Sequence, residues 1–146
     1  MPNNPQDERA ILNTLSEFPR VVDRNEWHRV GEVFAKDVCF NYGDGRDQQG
    51  IDALLQQFRS FHDRCSAMQH LIGSVQLELD GDSAVTRAYV QARHQGKGHY
   101  AQSFYDTHGE YTDQWARRPE GWRIVRRDAT WIMSSGESRV LFGPEA

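Results

Sequence analysis

The chain has 146 residues, a formal net charge of −4 and 38% hydrophobic residues. Its Lys and Arg residues are scattered, which argues against a nucleic-acid surface. No apolar run approaches the roughly 20 residues that span a bilayer, so no membrane partner is expected. The 4 Trp, 5 Tyr and 7 Phe bring large burial per residue and argue against disorder. The length suits a single domain, residues 1–146, with a core over about residues 8–133. Residues 1–8 are polar and lack an apolar leader. A cytoplasmic location is therefore expected, with Cys39 and Cys65 free and reduced.

A first helix is predicted from Asn4-Pro5, with Asn4 as cap and Pro5 at the first helical position. Ile11, Leu15, Phe18 and Val22 form its apolar stripe. Pro19 is expected to kink it. Asp23 falls beside the stripe near the helix end, where the helix dipole offers a carboxylate nothing. A second, shorter helix is predicted over residues 25–36, with Trp27, Val30 and Phe34 on its inner face. Residues 38–42 alternate like a short strand, and Gly43-Asp44-Gly45 is a turn. After Gly50 a third helix presents Ile51, Leu54, Leu55, Phe58 and Phe61 on one face.

From Arg64 onward the period changes to two. Residues 68–79 lead to Asp80-Gly81-Asp82, a hairpin signal, and residues 83–94 run back. Gln95-Gly96-Lys97-Gly98 is the next turn. Residues 103–117 and 122–133 form a further hairpin about Pro119-Glu120-Gly121. Helices followed by long strands read as α+β. The expected architecture is a cone-shaped barrel: a strongly curved, mainly antiparallel sheet of four long strands, covered by three N-terminal helices. The tail, residues 134–146, is expected to cover a pocket mouth or meet a neighbouring subunit.

Several segments, in order, resemble SnoaL-like domains of the nuclear transport factor 2-like superfamily. They are Val22-Asp23-Arg24-Asn25-Glu26-Trp27, Val33-Phe34-Ala35-Lys36-Asp37-Val38, Gln69-His70-Leu71-Ile72-Gly73, Asp80-Gly81-Asp82-Ser83-Ala84, Gly109-Glu110-Tyr111-Thr112-Asp113 and Gly121-Trp122-Arg123-Ile124. Within the superfamily the chain is most similar to scytalone dehydratase, bile acid 7α-dehydratase and hexachlorocyclohexane dehydrochlorinase. The resemblance implies the cone-shaped fold. It also implies that Asp23 and His70 work together as the base of an elimination. It places Tyr42 at a pocket tyrosine and His94 at a second histidine. Phe18 stands where relatives often carry Tyr or Lys, and Val22 stands where scytalone dehydratase carries Tyr. The usual neighbouring proton donors are thus absent.

A carboxylate bound to one ring nitrogen of His70 would fix the tautomer and raise the basicity of the other nitrogen. The competing reading is a satisfied strand histidine and a helix cap. Tyr42 is a candidate to hold a substrate oxygen, or is a core aromatic. Tyr111, Asp113 and Trp115 share one strand face by alternation. Asp113 is a candidate second pocket carboxylate, as acidic groups on this strand are in ketosteroid isomerases of the same fold; a surface charge is the alternative. One of Arg126 and Arg127 must face inward under strict alternation. An inward Arg127 would bind an anion, and a surface ion pair is the alternative. Trp131 and Met133 are expected to line pocket or core.

His94, His99 and His108 lack the spacing of a metal set; of these, His94 is kept as a pocket candidate. No phosphate loop or serine elbow occurs, and no cofactor or metal is expected. The function expected is a cofactor-free lyase acting on a small, largely apolar ring compound. An isomerase or cyclase using the same base is the first alternative, and a non-catalytic binding or assembly domain the second. A homo-oligomer, dimer or trimer, is expected.

Overall fold

The computed structural model of the chain describes residues 4–144. Helix α1 (Pro5–Asp23) starts as predicted, with the Asn4 side chain accepting the Gln6 N–H at 2.9 Å. It buries Ile11, Leu15, Phe18, Val21 and Val22. Pro19 lies inside the helix without ending it. The proline forfeits one backbone hydrogen bond, but Phe18, Val21 and Val22 are buried on either side and hold the last turn in place.

The helix predicted over residues 25–36 does not form. The chain turns at Asn25, whose φ is 54°, and passes through a short 3-10 stretch at Trp27–Glu32. It is already extended by β1 (Phe34–Asn41). The reason is tertiary: Val33, Phe34, Val38 and Phe40 are β-branched or aromatic, and pairing β1 with the last strand buries all four. The strand predicted over residues 38–42 is the second half of β1. A two-residue strand, β2 (Gln48–Gln49), pairs beside it, and α2 (Ile51–His62) follows.

Four long strands then meander: β3 (Cys65–Asp80), β4 (Ser83–Gly96), β5 (Phe104–Arg118) and β6 (Gly121–Gly136). The sheet therefore has six strands rather than four, in the order β2-β1-β6-β5-β4-β3. Every pairing is antiparallel except β1 with β6. Register shifts interrupt β3 between Gly73 and Gln76, around Ser74 at φ 50°, and the β5–β6 ladder at His108/Gly109 and Gln114/Trp115. Such bulges bend and twist a sheet, and here they curl it into a cone around which α1 and α2 pack. The tail folds back as α3 (Arg139–Phe142), burying Val140 and Leu141 beside Cys65; its last two residues lie outside the described chain. No helix among the described residues is long and apolar enough to cross a membrane.

The second β5–β6 bulge decides which arginine is buried. Trp122 and Ile124 point inward, and without the bulge Arg126 would follow them. The inserted residue reverses the parity, so Arg127 and Ala129 are buried instead. Arg126 stays outside with Asp47 and Asp128. Arg127, 0% exposed, donates Nε–H to Asp113 at 2.7 Å and a terminal N–H to its second oxygen at 2.8 Å. The guanidinium lies 4.2 Å from the Phe18 ring centre and 3.9 Å from that of Tyr111, a cation–π sandwich. Burial pulls the guanidinium pKa down, but the Asp113 carboxylate outweighs burial and holds it above its ordinary value.

Breaking this pair from one side leaves an uncompensated charge in the core. Arg127→Met should cost about 3–5 kcal/mol in urea unfolding, and the double variant Arg127→Met with Asp113→Leu should recover much of that loss. Additive single losses would show that the two side chains act independently.

Candidate functional site

A cavity of about 460 Å³ opens between the helices and the concave face of the sheet. Its walls are largely aromatic: Phe18 from α1, Phe58 from α2, Tyr105 and Tyr111 from β5, and Trp131 from β6. Leu141 and Phe142 of α3 also line it, with Phe142 edge-on to Phe61 at 5.5 Å and to Tyr105 at 5.7 Å. The tail thus reaches the cavity.

Asp23 and His70 meet. One oxygen of Asp23 lies 2.6 Å from His70 Nδ1, and the other accepts the His70 backbone N–H at 2.9 Å. A carboxylate only accepts, so Nδ1 carries a ring proton, and the neutral ring has its lone pair on Nε2. The double contact fixes both the strand and the ring. The His70 side chain is 6% exposed and that of Asp23 16%. His70 lines the cavity, and Asp23 stands behind it. Phe18 packs edge-on to the His70 ring at 5.9 Å. The position where relatives often carry Tyr or Lys is here an apolar brace beneath the imidazole.

Two more histidines face the same space. His94 sits on β4, diagonally across from His70, because His70 pairs with Ala92 and inward-facing residues alternate. Its Nδ1 donates to the Tyr105 carbonyl at 2.9 Å, which again leaves Nε2 free. Burial holds its pKa below the ordinary value. His62, the last residue of α2, was not among the sequence candidates. It is buried, stacks on Phe58 at 6.1 Å, and lies 5.8 Å from His70 and 6.3 Å from His94 between ring centres. Burial, then the charges of its two neighbours, push its pKa well below the usual histidine range, so it is neutral. The signal that would have found it is the i, i+4, i+8 series Leu54, Phe58, His62, all three buried.

The remaining candidates divide between wall and floor. Tyr42 and Tyr111 line the cavity, but their hydroxyls are turned inward. Arg127 donates to the Tyr42 oxygen at 3.2 Å, and Tyr42 donates to Tyr111 at 3.4 Å. Burial raises both phenol pKa values, so both stay protonated. The Tyr42 hydroxyl is thus committed to the floor rather than free for a substrate oxygen. Asp113 and Arg127 do not line the cavity. The expectation of a pocket carboxylate and an anion-binding arginine is corrected: they neutralise each other beneath the aromatic floor. Trp131 lines the mouth, its indole N–H bound to the Tyr42 carbonyl at 2.9 Å. His99 and His108 lie away from the cavity lining.

The family model for SnoaL-like domains matches residues 5–128, and the chain belongs to that family. An uncharacterised protein of Mycobacterium tuberculosis is 25% identical over 133 residues, 85% of this chain and 84% of its own length. Among solved structures, a proposed aromatic ring hydroxylase from Novosphingobium aromaticivorans is similar at 25% identity and TM-score 0.83, over 95% of this chain and 99% of that one. A proposed scytalone dehydratase from the same organism has 18% identity and TM-score 0.81, over 89% of this chain and 87% of that one. A hexachlorocyclohexane dehydrochlorinase from Novosphingobium barchaimii has 16% identity and TM-score 0.78, over 95% of each. The fold is thus shared with a proposed scytalone dehydratase and a dehydrochlorinase.

Gly109 is what lets Trp131 lie where it does. A Cβ there would meet the Thr130 carbonyl oxygen and the Trp131 ring, both at 2.6 Å. Gly109→Ala should therefore push Trp131 off the cavity mouth and cost about 1–3 kcal/mol, the usual range for overpacking. A crystal structure of the variant together with a thermal melt would check both effects.

Proposed function

We propose that the protein is a lyase, a dehydratase or related elimination enzyme, that acts on a small, largely apolar ring compound with His70 as base. The observation that carries the reading is the double grip of Asp23 on His70, which leaves the other ring nitrogen free beside the cavity. In the reaction, Nε2 takes a proton from a substrate carbon. The C–H electron pair becomes the new double bond, and the leaving group departs from the neighbouring carbon with its own pair. Asp23 stabilises the imidazolium so formed and keeps the ring oriented. Where the leaving group is hydroxide, the imidazolium supplies the proton that releases it as water. The cavity size falls within the range of small-molecule sites, and its aromatic walls suit an apolar ring. This step takes no cofactor. The kinship in fold to a proposed scytalone dehydratase and a dehydrochlorinase supports the same chemistry.

A second reading is an isomerase or cyclase that begins with the same proton abstraction. His62 and His94 favour it, because each brings a nitrogen to the cavity that could take the abstracted proton from the His70 imidazolium and deliver it at another carbon. Product analysis separates the two.

The test uses a panel of cyclic alcohols and halides bearing a C–H next to the leaving carbon. Incubation in D₂O reads solvent exchange by NMR and elimination by mass spectrometry. His70→Ala should lower turnover about 10²–10⁴-fold, the usual contribution of a general base. Asp23→Asn should lose a comparable amount, and the double variant should be no worse than either single one. Full exchange by folded His70→Ala protein would overturn the assignment of His70.

A further inference from the structure

We propose that His62, His70 and His94 form a three-imidazole binding site for a divalent first-row transition ion, with zinc as the reference case. The three residues come from the end of α2, from β3 and from β4, and one ring nitrogen of each lies within 4.8 Å of the other two. The ring centres stand 5.8, 5.8 and 6.3 Å apart, close to an equilateral triangle.

The outer contacts are those of metal-binding imidazoles. Such rings have their far nitrogen tied to a carboxylate or a carbonyl, which fixes the tautomer and strengthens the near nitrogen. Here Asp23 holds His70 Nδ1 at 2.6 Å, and the Tyr105 carbonyl holds His94 Nδ1 at 2.9 Å. Both Nε2 atoms are left as ligands. His62 supplies the independent observation. It is 7% exposed, and its Nδ1 is buried without a hydrogen bond among the described residues. A buried polar atom without a partner is destabilising, and a ligand that reaches it removes that cost.

Three neutral nitrogen donors with an open side toward a cavity are the donor set of a site that keeps one position for water or substrate. Imidazole donors suit zinc, copper, iron and nickel. At the usual Zn–N distance of 2.0–2.1 Å a tetrahedral site needs nitrogens about 3.3 Å apart, so from within 4.8 Å the nitrogens must close up, chiefly by rotation of His62, whose Nδ1 no hydrogen bond holds among the described residues. Spacing along the chain could not reveal this set, because no two of its members share an element.

This inference goes beyond the base reading and does not rest on it. An ion bound there takes the Nε2 lone pair that His70 would use to abstract a proton, so the two exclude one another, and the ion should inhibit an elimination that depends on His70.

The experiment is binding to the full chain after chelator treatment: zinc by calorimetry and cobalt(II) by visible absorption. One ion per chain is expected, with the cobalt bands of a four- or five-coordinate nitrogen site. His62→Ala and His94→Ala should each weaken zinc binding at least tenfold, and Asp23→Asn by about 10–100-fold, as loss of an outer partner does. His99→Ala and His108→Ala should bind as the parent does. If His62→Ala fails to fold by circular dichroism, His62→Gln, closer in volume, carries the same comparison. Absence of stoichiometric binding, or equal affinity in the parent and a folded His62 variant, would overturn the proposal. The exchange assay on metal-free protein reads the base assignment separately, so either idea can fail alone.

Discussion

A guanidinium with no exposed surface, held by one carboxylate, determines the inner end of the cone. Arg127 cannot leave Asp113 without stranding a charge in the core, so the pair is fixed once the sheet has closed. The floor of the cavity is built on it. Phe18 and Tyr111 sandwich the guanidinium, Phe34 lies 5.1 Å from it, and the Tyr42 hydroxyl accepts from its third nitrogen. These rings gain their positions from a charge that never meets solvent. The result is a rigid, neutral and aromatic base to the cavity.

Reactivity is confined to one side. His70, His94 and His62 stand together on the strand and helix ends, and only His70 is backed by a carboxylate. Burial keeps His62 and His94 neutral, which makes all the difference to what the cluster can do. Neutral imidazoles accept a proton or a metal ion; they do not repel a third base nearby. One nitrogen, His70 Nε2, would serve either of the two proposed chemistries. The mouth, by contrast, is built from α3, Trp131 and β6 and is more open: Phe142 is 46% and Trp131 40% exposed. A fixed histidine wall under a more exposed mouth is the arrangement the proposed elimination on a ring compound would use.

Much of this was legible in the chain itself, and the reasons differ by residue. The Asn4 cap, the α1 stripe and the Asp80-Gly81-Asp82 hairpin are local patterns, and local patterns survive folding intact. Asp23 and His70 lie 47 residues apart and share no local pattern; their meeting was implied by a resemblance and by nothing in their spacing. In residues 25–36, Trp27, Val30 and Phe34 repeat at helical spacing, yet the first two lie on a 3-10 stretch and the third on a strand whose pairing with β6 buries it. His62 ends α2 one residue past Phe61, and a polar residue at a helix end adds nothing to an apolar period.

Composition, periodicity and turn chemistry by themselves determined an α+β chain with a first helix carrying Asp23 and a long meander carrying His70, His94 and Asp113. Only the tertiary structure decided that Arg127 rather than Arg126 enters the core, that Asp113 is spent on it, and that His62 joins the other two imidazoles. The physical reason is the same in each case. A one-residue bulge reverses every side chain beyond it, and the curl of the sheet decides which distant ends converge. Neither is encoded in the spacing of residues along a single element.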